Sequence, residues 1–510
     1  MMKKLLLLCL PFATTVALAQ KDENAAKYAA LITPKALKEK LTILAGPEME
    51  GRETGTPGQK RAAEWIESEF KRMGLQPGNG SSYQQVYPLY ADMITDKKLS
   101  VNGRQFSFDK DYSFTTAVPS GKWNVNNVVF AGYGLVDSAK GIDDYKGLDV
   151  RGKIVVVVDG GTTPAAGGPG GGRGGNFGNP KAAAAMARGA AGLLTVASNF
   201  PRTVPTPLKG RVSMTKSNAT FFTASISDEV ASALLGRTFR IPFADLKDIN
   251  KGTYVSELAI VATKTVENTE SSNVLGIIPG TDKKDEFVFL TGHYDHLGKN
   301  AKGEIFYGAD DDGSGSVGVM QMAEAFAVAA KKGSKPRRTM IFMTVSGEEK
   351  GLWGSQYYSE NPTVDLSKAS VDLNTDMIGR GDTSRKGDTL NYIYVIGHDK
   401  LSSELAPINE SVNKLYDINL GLDYKYDDPN DRNRIYFRSD HYNFARKGVP
   451  ILFFYDGMLG SDYHKLTDTV DKIHFEVMAK RAQLVFHTGW VMANRDAMMK
   501  RDTPLNMGSR

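Results

Sequence analysis

The chain has 510 residues, of which 41% are hydrophobic and 24% charged, and its formal net charge is +5. That length exceeds the usual size of one hydrophobic core, so we expect two domains. A charge this small, without a dense basic run, is not typical of proteins that bind nucleic acid or membrane surfaces. Neither kind of partner is therefore indicated.

The first twenty residues have the features of a secretory signal peptide. Lys3 and Lys4 precede a short apolar run, and Ala17-Leu18-Ala19 offers a cleavage site of the small-x-small kind. The apolar run is too short to span a bilayer, and no later stretch approaches about 18 apolar residues. We predict that residues 1–19 are removed and that the protein is secreted or periplasmic, with no membrane anchor.

Cys9 is the only cysteine of the chain. Leu8 precedes it where a lipoprotein signal needs a small residue, which argues against a lipid anchor. Cleavage after residue 19 would leave a chain without disulfides, thiolate ligands or a cysteine nucleophile.

Residues 20–124 begin with a helical pattern over residues 34–73, in which apolar positions share one face. A turn-rich loop at residues 51–58, reading GRETGTPG, interrupts this pattern and leads into the second helix. The sequence leaves open whether the loop is only a connector or lies near a functional site. We expect residues 20–124 to form one domain together with residues 262–510.

Residues 125–261 have a different sequence pattern, which predicts short apolar strands and one short helix. Their VVFAGYG and KGLDVRGKIVVV runs and an Ala/Gly-rich helix resemble the protease-associated domain, which commonly occurs as an insertion in secreted peptidases. Between residues 160 and 180 the chain is dense in glycine. That composition predicts a mobile surface loop rather than a phosphate-binding loop, because no GK[ST] ending is present.

From residue 271 onward, buried strands alternate with helices, for example residues 287–290, 316–332, 339–345 and 369–373, and a last helix is expected from Phe475 to about Met499. Such alternation predicts an α/β fold with a mostly parallel, mixed sheet that carries helices on both faces. All seven histidines lie in this part of the chain. We therefore expect the catalytic residues to lie in this part of the chain.

Five polar clusters follow the predicted strands of this part, and they are His293-Tyr294-Asp295-His296, Asp310-Asp311-Asp312, Glu348-Glu349, Asn374-Thr375-Asp376 and Asp462-Tyr463-His464. The carboxyl ends of parallel strands share one edge of a sheet, so these clusters are expected to converge on one crevice. Imidazole and carboxylate together suit a divalent transition metal. Asp295 is on the same side of an extended chain as His293 and is suited to fix its tautomer.

In their order and spacing the five motifs resemble those of the secreted two-zinc aminopeptidases, relatives of glutamate carboxypeptidase and glutaminyl cyclase. The resemblance implies a zinc exopeptidase fold, two Zn²⁺ per chain and peptide substrates. It makes His293 and Asp376 ligands of one zinc, Glu349 and His464 ligands of the other, and Asp311 the bridge. Asp310 and Asp312 would form hydrogen bonds rather than coordinate.

The same resemblance makes Glu348 the general base, Asp295 the group that orients His293, and Tyr463 a hydroxyl that stabilises the oxyanion. Carboxylates and imidazoles around two zinc ions leave open positions for a shared water, as a catalytic site requires. His296, Asp440 and His441 also lie near the motifs. For these three we expect packing around the site rather than direct coordination.

Other functions were weighed against the same residues. A glutaminyl cyclase-like acyltransferase lacks the ligand histidine at the position of His293, and inactive receptor-like relatives have lost the ligands that persist here. A serine hydrolase is not indicated, since no G-x-S-x-G elbow precedes a suitable Asp and His. Carboxypeptidase action of the glutamate carboxypeptidase type remains open beside aminopeptidase action, because the substrate pocket is formed by loops.

Overall fold

The computed structural model describes residues 21–161 and 179–507. The predicted signal peptide and most of the glycine-rich segment lie outside the described residues. The chain divides into two compact units, one consisting of residues up to Tyr87 and from Ser271 onward, the other of Pro88–Glu270. The range predicted for the insert, 125–261, falls inside the second unit. Within the described ranges, no helix is both long and apolar enough to cross a membrane.

The helices are α1 (Glu23–Ala29), α2 (Pro34–Leu44), α3 (Pro57–Met73), α4 (Pro180–Ala187), α5 (Asp228–Leu234), α6 (Gly315–Lys331), α7 (Trp353–Glu360), α8 (Leu405–Leu415), α9 (His441–Ala445) and α10 (Phe475–Asn494). Helix α3 shows how local sequence sets such bounds. Thr56 caps its first turn, Pro57 occupies the first helical position, and Gly74 ends it in the left-handed conformation.

The strands are β1 (Gln76–Pro77), β2 (Gln84–Val101), β3 (Arg104–Phe106), β4 (Tyr112–Ser113), β5 (Gly121–Phe130), β6 (Val136–Asp137), β7 (Ile142–Asp143), β8 (Ile154–Val158), β9 (Gly192–Val196), β10 (Phe222–Ile226), β11 (Gly252–Ile278), β12 (Lys283–His293), β13 (Arg338–Val345), β14 (Ala369–Thr375), β15 (Tyr392–Ile396), β16 (Gly421–Asp423) and β17 (Ile451–Tyr455).

In the first unit the strand order is β16-β15-β17-β14-β12-β13-β11. The central strands β17, β14, β12 and β13 are mutually parallel, whereas β11 pairs antiparallel with β13 and β15 antiparallel with β17. Successive residues of β12 point to opposite faces, so Val288 and Leu290 enter one core cluster and Phe289 another. Helices cover both faces, and the prediction of a mixed, mostly parallel sheet is confirmed.

In the second unit, strands β5, β8, β9 and β10 are parallel neighbours, with β11 antiparallel to β5 and β4 antiparallel to β10. The all-apolar strand β8 is buried on both faces: Val156 and Val158 pack in one core cluster and Val155 and Val157 in another. An apolar run without alternation is what such two-sided burial requires.

Helix α10 ends earlier than the sequence indicated, at Asn494 rather than near Met499. The backbone of Arg495 is extended. The Asn494 side chain donates to the carbonyl of Trp490 and accepts from the backbone N–H of Arg337. These contacts of the Asn494 side chain mark the end of the helix.

Candidate metal centre

Neighbouring strands of the first unit deliver polar side chains to one edge of their sheet. Strand β12 ends at His293, which pairs with Val345 at the end of β13, and Asp376 follows β14 directly. After β13 the chain forms a short 3-10 helix, Glu348–Lys350. Parallel strands place their carboxyl ends together, and the predicted residues therefore meet although they are far apart in sequence.

The three consecutive acids before α6 have different surroundings. Asp312 accepts hydrogen bonds of 2.8–3.0 Å from three backbone N–H groups, those of His293, Gly315 and Met377. Asp310 accepts at 2.9 Å from the N–H of Gly379. Asp311 turns its carboxylate toward imidazoles instead. Asp310 and Asp312 thus accept hydrogen bonds from the backbone around the site, whereas Asp311 faces the imidazoles.

One group of possible ligands consists of His293, Asp311 and Asp376. The Nε2 atom of His293 lies 3.4 Å from Asp311 Oδ1 and 3.6 Å from Asp376 Oδ1. Its Nδ1 lies 3.2 Å from the carbonyl oxygen of Asp295 and 3.6 Å from that residue's carboxylate. The ring therefore presents Nε2 to the two acids, with Asp295 on its opposite side.

A second group contains His296, Asp311 and Glu349, and His464 lies against it. Glu349 Oε1 is 3.0 Å from both His296 Nδ1 and His464 Nε2. Asp311 Oδ2 is 3.1 Å from His464 Nε2 and 3.9 Å from His296 Nδ1. Asp311 is thus common to both groups, as the resemblance implied for the bridging acid.

His296 is a residue that the sequence interpretation ranked too low. It was expected to pack around the site, but its ring is fully buried with Nδ1 facing Glu349 and Asp311. The available signal was a second imidazole three residues after His293. Its direction depends on the backbone after β12, which spacing alone does not determine.

The charges of the site are strongly coupled through short distances. Burial alone would raise the pKa of Asp311, but the imidazoles of His293 and His464 hold that pKa well below its usual value. Burial opposes protonation of His464, yet Asp311 and Glu349 raise its pKa to about 9. Burial raises the pKa of Asp310 and of Asp312 well above the usual range. Buried carboxylates are strongly destabilising unless positive charge compensates them, so this cluster requires cations in its midst.

The unsatisfied atoms of the cluster fit a metal ion. Among the described residues, several buried side-chain atoms have no hydrogen-bond partner and face one another, namely His293 Nε2, His296 Nδ1, Asp311 Oδ2 and Glu349 Oε1. Buried polar atoms are rarely left unpaired in native proteins. Imidazole nitrogens and carboxylate oxygens are the donors that zinc prefers when thiolates are absent. The donor set therefore fits zinc.

Glu348 lies beside the first ligand group rather than within the second. Its Oε2 is 3.8 Å from His293 Nε2, and its backbone N–H donates to Asp295 Oδ1 at 3.1 Å. Burial raises the pKa of Glu348 well above its usual value. A proton-accepting group with a raised pKa next to a metal centre is suited to acid–base work.

A pocket opens directly onto these groups. Asp311, Glu348 and Asp376 line one side of it, and its other walls are mainly apolar, formed by Met377, Ile435, Phe453, Tyr455 and Leu459. Tyr463 and the exposed Arg438 complete the lining. The guanidinium of Arg438 donates to the Tyr463 hydroxyl at 2.9 Å. Arg438 is a second residue of the site that motif reading missed.

His441 and Asp440 pack near the site without joining either ligand group. His441 Nε2 is 2.8 Å from the carbonyl oxygen of Tyr436, and its ring stacks on Phe453. Burial lowers the pKa of His441 to about 3, so the ring is neutral. Asp440 accepts a hydrogen bond from the Ser355 hydroxyl.

A third group of possible ligands, His398, Asp399 and Asp427, lies elsewhere in the same unit. The ammonium of Lys400 already bonds the carboxylate of Asp399 and the carbonyl of Asp427. The Nδ1 of His398 is hydrogen-bonded to Asp427. The carboxylates of this group are therefore already hydrogen-bonded to a lysine and an imidazole of the same group.

Residues 273–489 match the model of Peptidase family M28. A probable leucine aminopeptidase of Trichophyton verrucosum (strain HKI 0517) is 30% identical over 226 residues, which cover 43% of this chain and 57% of that protein. The probable glutamate carboxypeptidase LAMP1 of Arabidopsis thaliana is 32% identical over 133 residues, covering 26% of this chain and 18% of that protein. This chain thus spans 57% of the length of the first of these relatives.

Two solved structures resemble the whole chain. The aminopeptidase from Aneurinibacillus sp. strain AM-1 aligns with a TM-score of 0.52 and 19% identity, over 94% of this chain and 99% of its own. BSAP, a zinc aminopeptidase from Bacillus subtilis, aligns with a TM-score of 0.50 and 20% identity, over 92% and 98% respectively. Likeness at this level of identity establishes the mixed α/β fold.

Proposed function

We propose, because residues 273–489 of this chain match the model of Peptidase family M28, that the protein is a zinc-dependent aminopeptidase that removes N-terminal residues from peptides. The observation that carries the proposal is the pair of ligand groups that share Asp311, with Glu348 beside them in an open pocket. His293 is present, which separates this site from a glutaminyl cyclase-like one. The names of the aligned leucine aminopeptidase and zinc aminopeptidase agree with this reading.

The residues present would hold two zinc ions. His293 and Asp376 would bind one, Glu349 and His464 the other, and Asp311 would bridge them, with His296 a further donor on the second side. When bound, zinc polarises the scissile carbonyl and lowers the pKa of a water molecule. A count of two explains why Asp311 has imidazoles at both of its carboxylate oxygens.

In the proposed reaction, Glu348 accepts a proton from the attacking water and passes it to the leaving amine. Tyr463 donates its hydroxyl hydrogen to the carbonyl oxygen as negative charge develops there. Its own oxygen accepts from Arg438, and a guanidinium has no acceptor, so the phenolic hydrogen is directed elsewhere. Asp295 orients His293. It also accepts a hydrogen bond from the backbone N–H of Glu348, which keeps this general base next to His293.

A carboxypeptidase of the glutamate carboxypeptidase type is the second candidate, and Arg438 is the observation that favours it. An exposed guanidinium that lines the pocket and donates to the Tyr463 hydroxyl suits a substrate carboxylate. One experiment separates the functions: release of the anilide from aminoacyl anilides, compared with hydrolysis of N-acetylated peptides. An aminopeptidase requires the free amine, a carboxypeptidase cleaves the blocked peptide, and cyclisation of an N-terminal glutaminyl peptide would indicate a cyclase.

We further infer that residues 125–261 are a protease-associated module and that the protein acts outside the cytoplasm. Parallel buried strands such as β8 and β9, with the short helix α4 between them in sequence, support the first inference. The signal-like sequence of residues 1–19 supports the second. Mass determination of the N-terminus of exported protein tests the cleavage site near Ala19.

A further inference from the structure

The loop at residues 51–58 reaches the buried side of the ligand groups. Arg52 is fully buried, and its guanidinium donates to four carbonyl oxygens at 2.6–3.1 Å, those of Leu44, Tyr294, Tyr307 and Gly308. The carbonyl of Arg52 accepts from the backbone N–H of His296. The loop is therefore bound to two of the chain segments that carry possible ligands, the one after β12 and the one before α6.

Thr54, two residues further on, makes a single directed contact with the site. Its hydroxyl donates to Asp295 Oδ2 at 2.7 Å, and both side chains are buried. The other oxygen of the carboxylate, Oδ1, accepts from the backbone N–H of Glu348 at 3.1 Å and lies 3.6 Å from His293 Nδ1. The carboxylate of Asp295 is thus held through Oδ2 by Thr54, and through Oδ1 it contacts Glu348 and His293.

We propose that Thr54 is a positioning residue for zinc binding and hydrolysis, acting through Asp295 on His293 and Glu348; this inference rests on the proposed function of the site. A buried carboxylate oxygen that loses its only donor is left unpaired, and the group then rotates toward other donors. Rotation would move Oδ1 away from the N–H of Glu348 and from His293. Groups that orient metal ligands in this way typically contribute 10–100-fold to metal affinity or activity.

Thr56 provides a matched control within the same loop. Its hydroxyl donates to the carbonyl of Glu53 at 2.6 Å and caps the first turn of α3, and neither of these two hydrogen bonds involves a residue of the ligand groups. Loss of a helix cap lowers stability without changing the site. Thr54→Val and Thr56→Val therefore make the same chemical change at a positioning residue and at a purely structural one.

The experiment compares Thr54→Val, Thr54→Ser and Thr56→Val with the natural full-length chain. Zinc affinity is measured by chelator competition. The values of kcat and KM are measured with an aminoacyl anilide, and the ligand geometry is monitored by the visible spectrum of the Co²⁺-substituted protein. For Thr54→Val we expect zinc affinity or kcat to fall 10–100-fold, with KM within about twofold and an altered Co²⁺ spectrum. Thr54→Ser should stay within about threefold, and Thr56→Val should lower the melting temperature alone.

Three results would overturn the proposal: Thr54→Val with zinc affinity, kcat and spectrum unchanged; Thr54→Ser as impaired as Thr54→Val; or Thr56→Val equally impaired in zinc affinity. If Thr54→Val does not fold, Thr54→Ala removes the hydroxyl without a new methyl group and carries the same expectations. Zinc affinity and the Co²⁺ spectrum need no substrate. A chain that cleaves no peptide would refute the proposed function while these two readouts still decide the role of Thr54.

Discussion

The adjacent acids Glu348 and Glu349 provide the sharpest test of the proposed mechanism, because their side chains diverge. Glu349 Oε1 lies 3.0 Å from two imidazoles, those of His296 and His464. Glu348 lines the open pocket, and its Oε2 is 3.8 Å from His293 Nε2. The same substitution, Glu to Gln, should therefore remove a proton acceptor at one position and a zinc ligand at the next.

For Glu348→Gln we expect kcat to fall by about 10²–10⁴, or roughly 3–5 kcal/mol in activation free energy, since an amide cannot accept the proton. Both zinc ions should remain, because Glu348 belongs to neither ligand group. Glu349→Gln removes the negative charge that faces two imidazoles, so one zinc should be lost together with activity.

Metal content by elemental analysis and single-substrate kinetics on both variants check this expectation. Glu360→Gln, at the exposed end of α7, makes the same change away from the site and should alter neither measurement. A Glu348→Gln enzyme that remains fully active would remove Glu348 from the mechanism. Equal loss of zinc from both variants would show that the two acids do not divide their roles.

Four further predictions concern the metal ions, the pocket, a buried histidine of α10 and the glycine-rich segment. Chelation should abolish activity and lower the melting temperature, and elemental analysis of fully active protein should give two zinc ions per chain; a single zinc would refute the dinuclear site. Arg438→Met should lower kcat for an aminoacyl anilide about tenfold, and much less in a Tyr463→Phe background if Arg438 acts through that hydroxyl; additive losses would instead indicate direct substrate contact. Burial lowers the pKa of His487 to about 4 from 6.5, so its protonation favours the unfolded chain. The contribution of His487 to the free energy of unfolding should fall as pH drops from 6.5 toward 4, with a limiting slope of ~1.4 kcal/mol per pH unit, and urea titrations of His487→Gln should show a correspondingly shallower pH dependence. Shortening the glycine-rich segment within residues 167–175 should leave anilide turnover within a few fold, and complete loss would show that the segment belongs to the site.

The strand ends were the most predictable part of the site, for a physical reason. A buried parallel strand must be apolar on both faces, so the first polar residue after the run marks the sheet edge. The polar clusters that contain His293 and Asp376 were placed at strand ends in this way, and β12 and β14 end at His293 and at Thr375. The cluster of Glu348 and Glu349 follows β13 after a turn, whereas the role of each residue came from the family resemblance and stays a prediction.

Contacts made by loops could not be predicted in this way. His296 faces Glu349 only because the backbone after β12 is held by Arg52. Arg438 belongs to none of the five motifs and reaches the pocket through the short 3-10 segment Ile435–Phe437 before α9. Nothing in the local hydrophobic pattern fixes such directions, because a loop has no fixed side-chain period. The inserted module predicted at residues 125–261 and its limits stay a prediction for a related reason. Strands β2 and β11 are long, and each continues through a residue at which the chain passes from one unit to the other, so the composition gives no boundary there.

The run Asp310-Asp311-Asp312 shows why adjacent identical residues require structural context before they can be assigned. As a sequence it is equally typical of a solvated turn, but here all three side chains are buried. The outer two are stabilised by backbone N–H groups, which leaves only Asp311 to face the imidazoles of both ligand groups. If the outer acids serve to hold the backbone, Asp312→Asn should retain most zinc affinity while lowering the melting temperature, whereas Asp311→Asn should lose zinc from both groups; the reverse order, measured by chelator competition and thermal unfolding, would refute this division of roles.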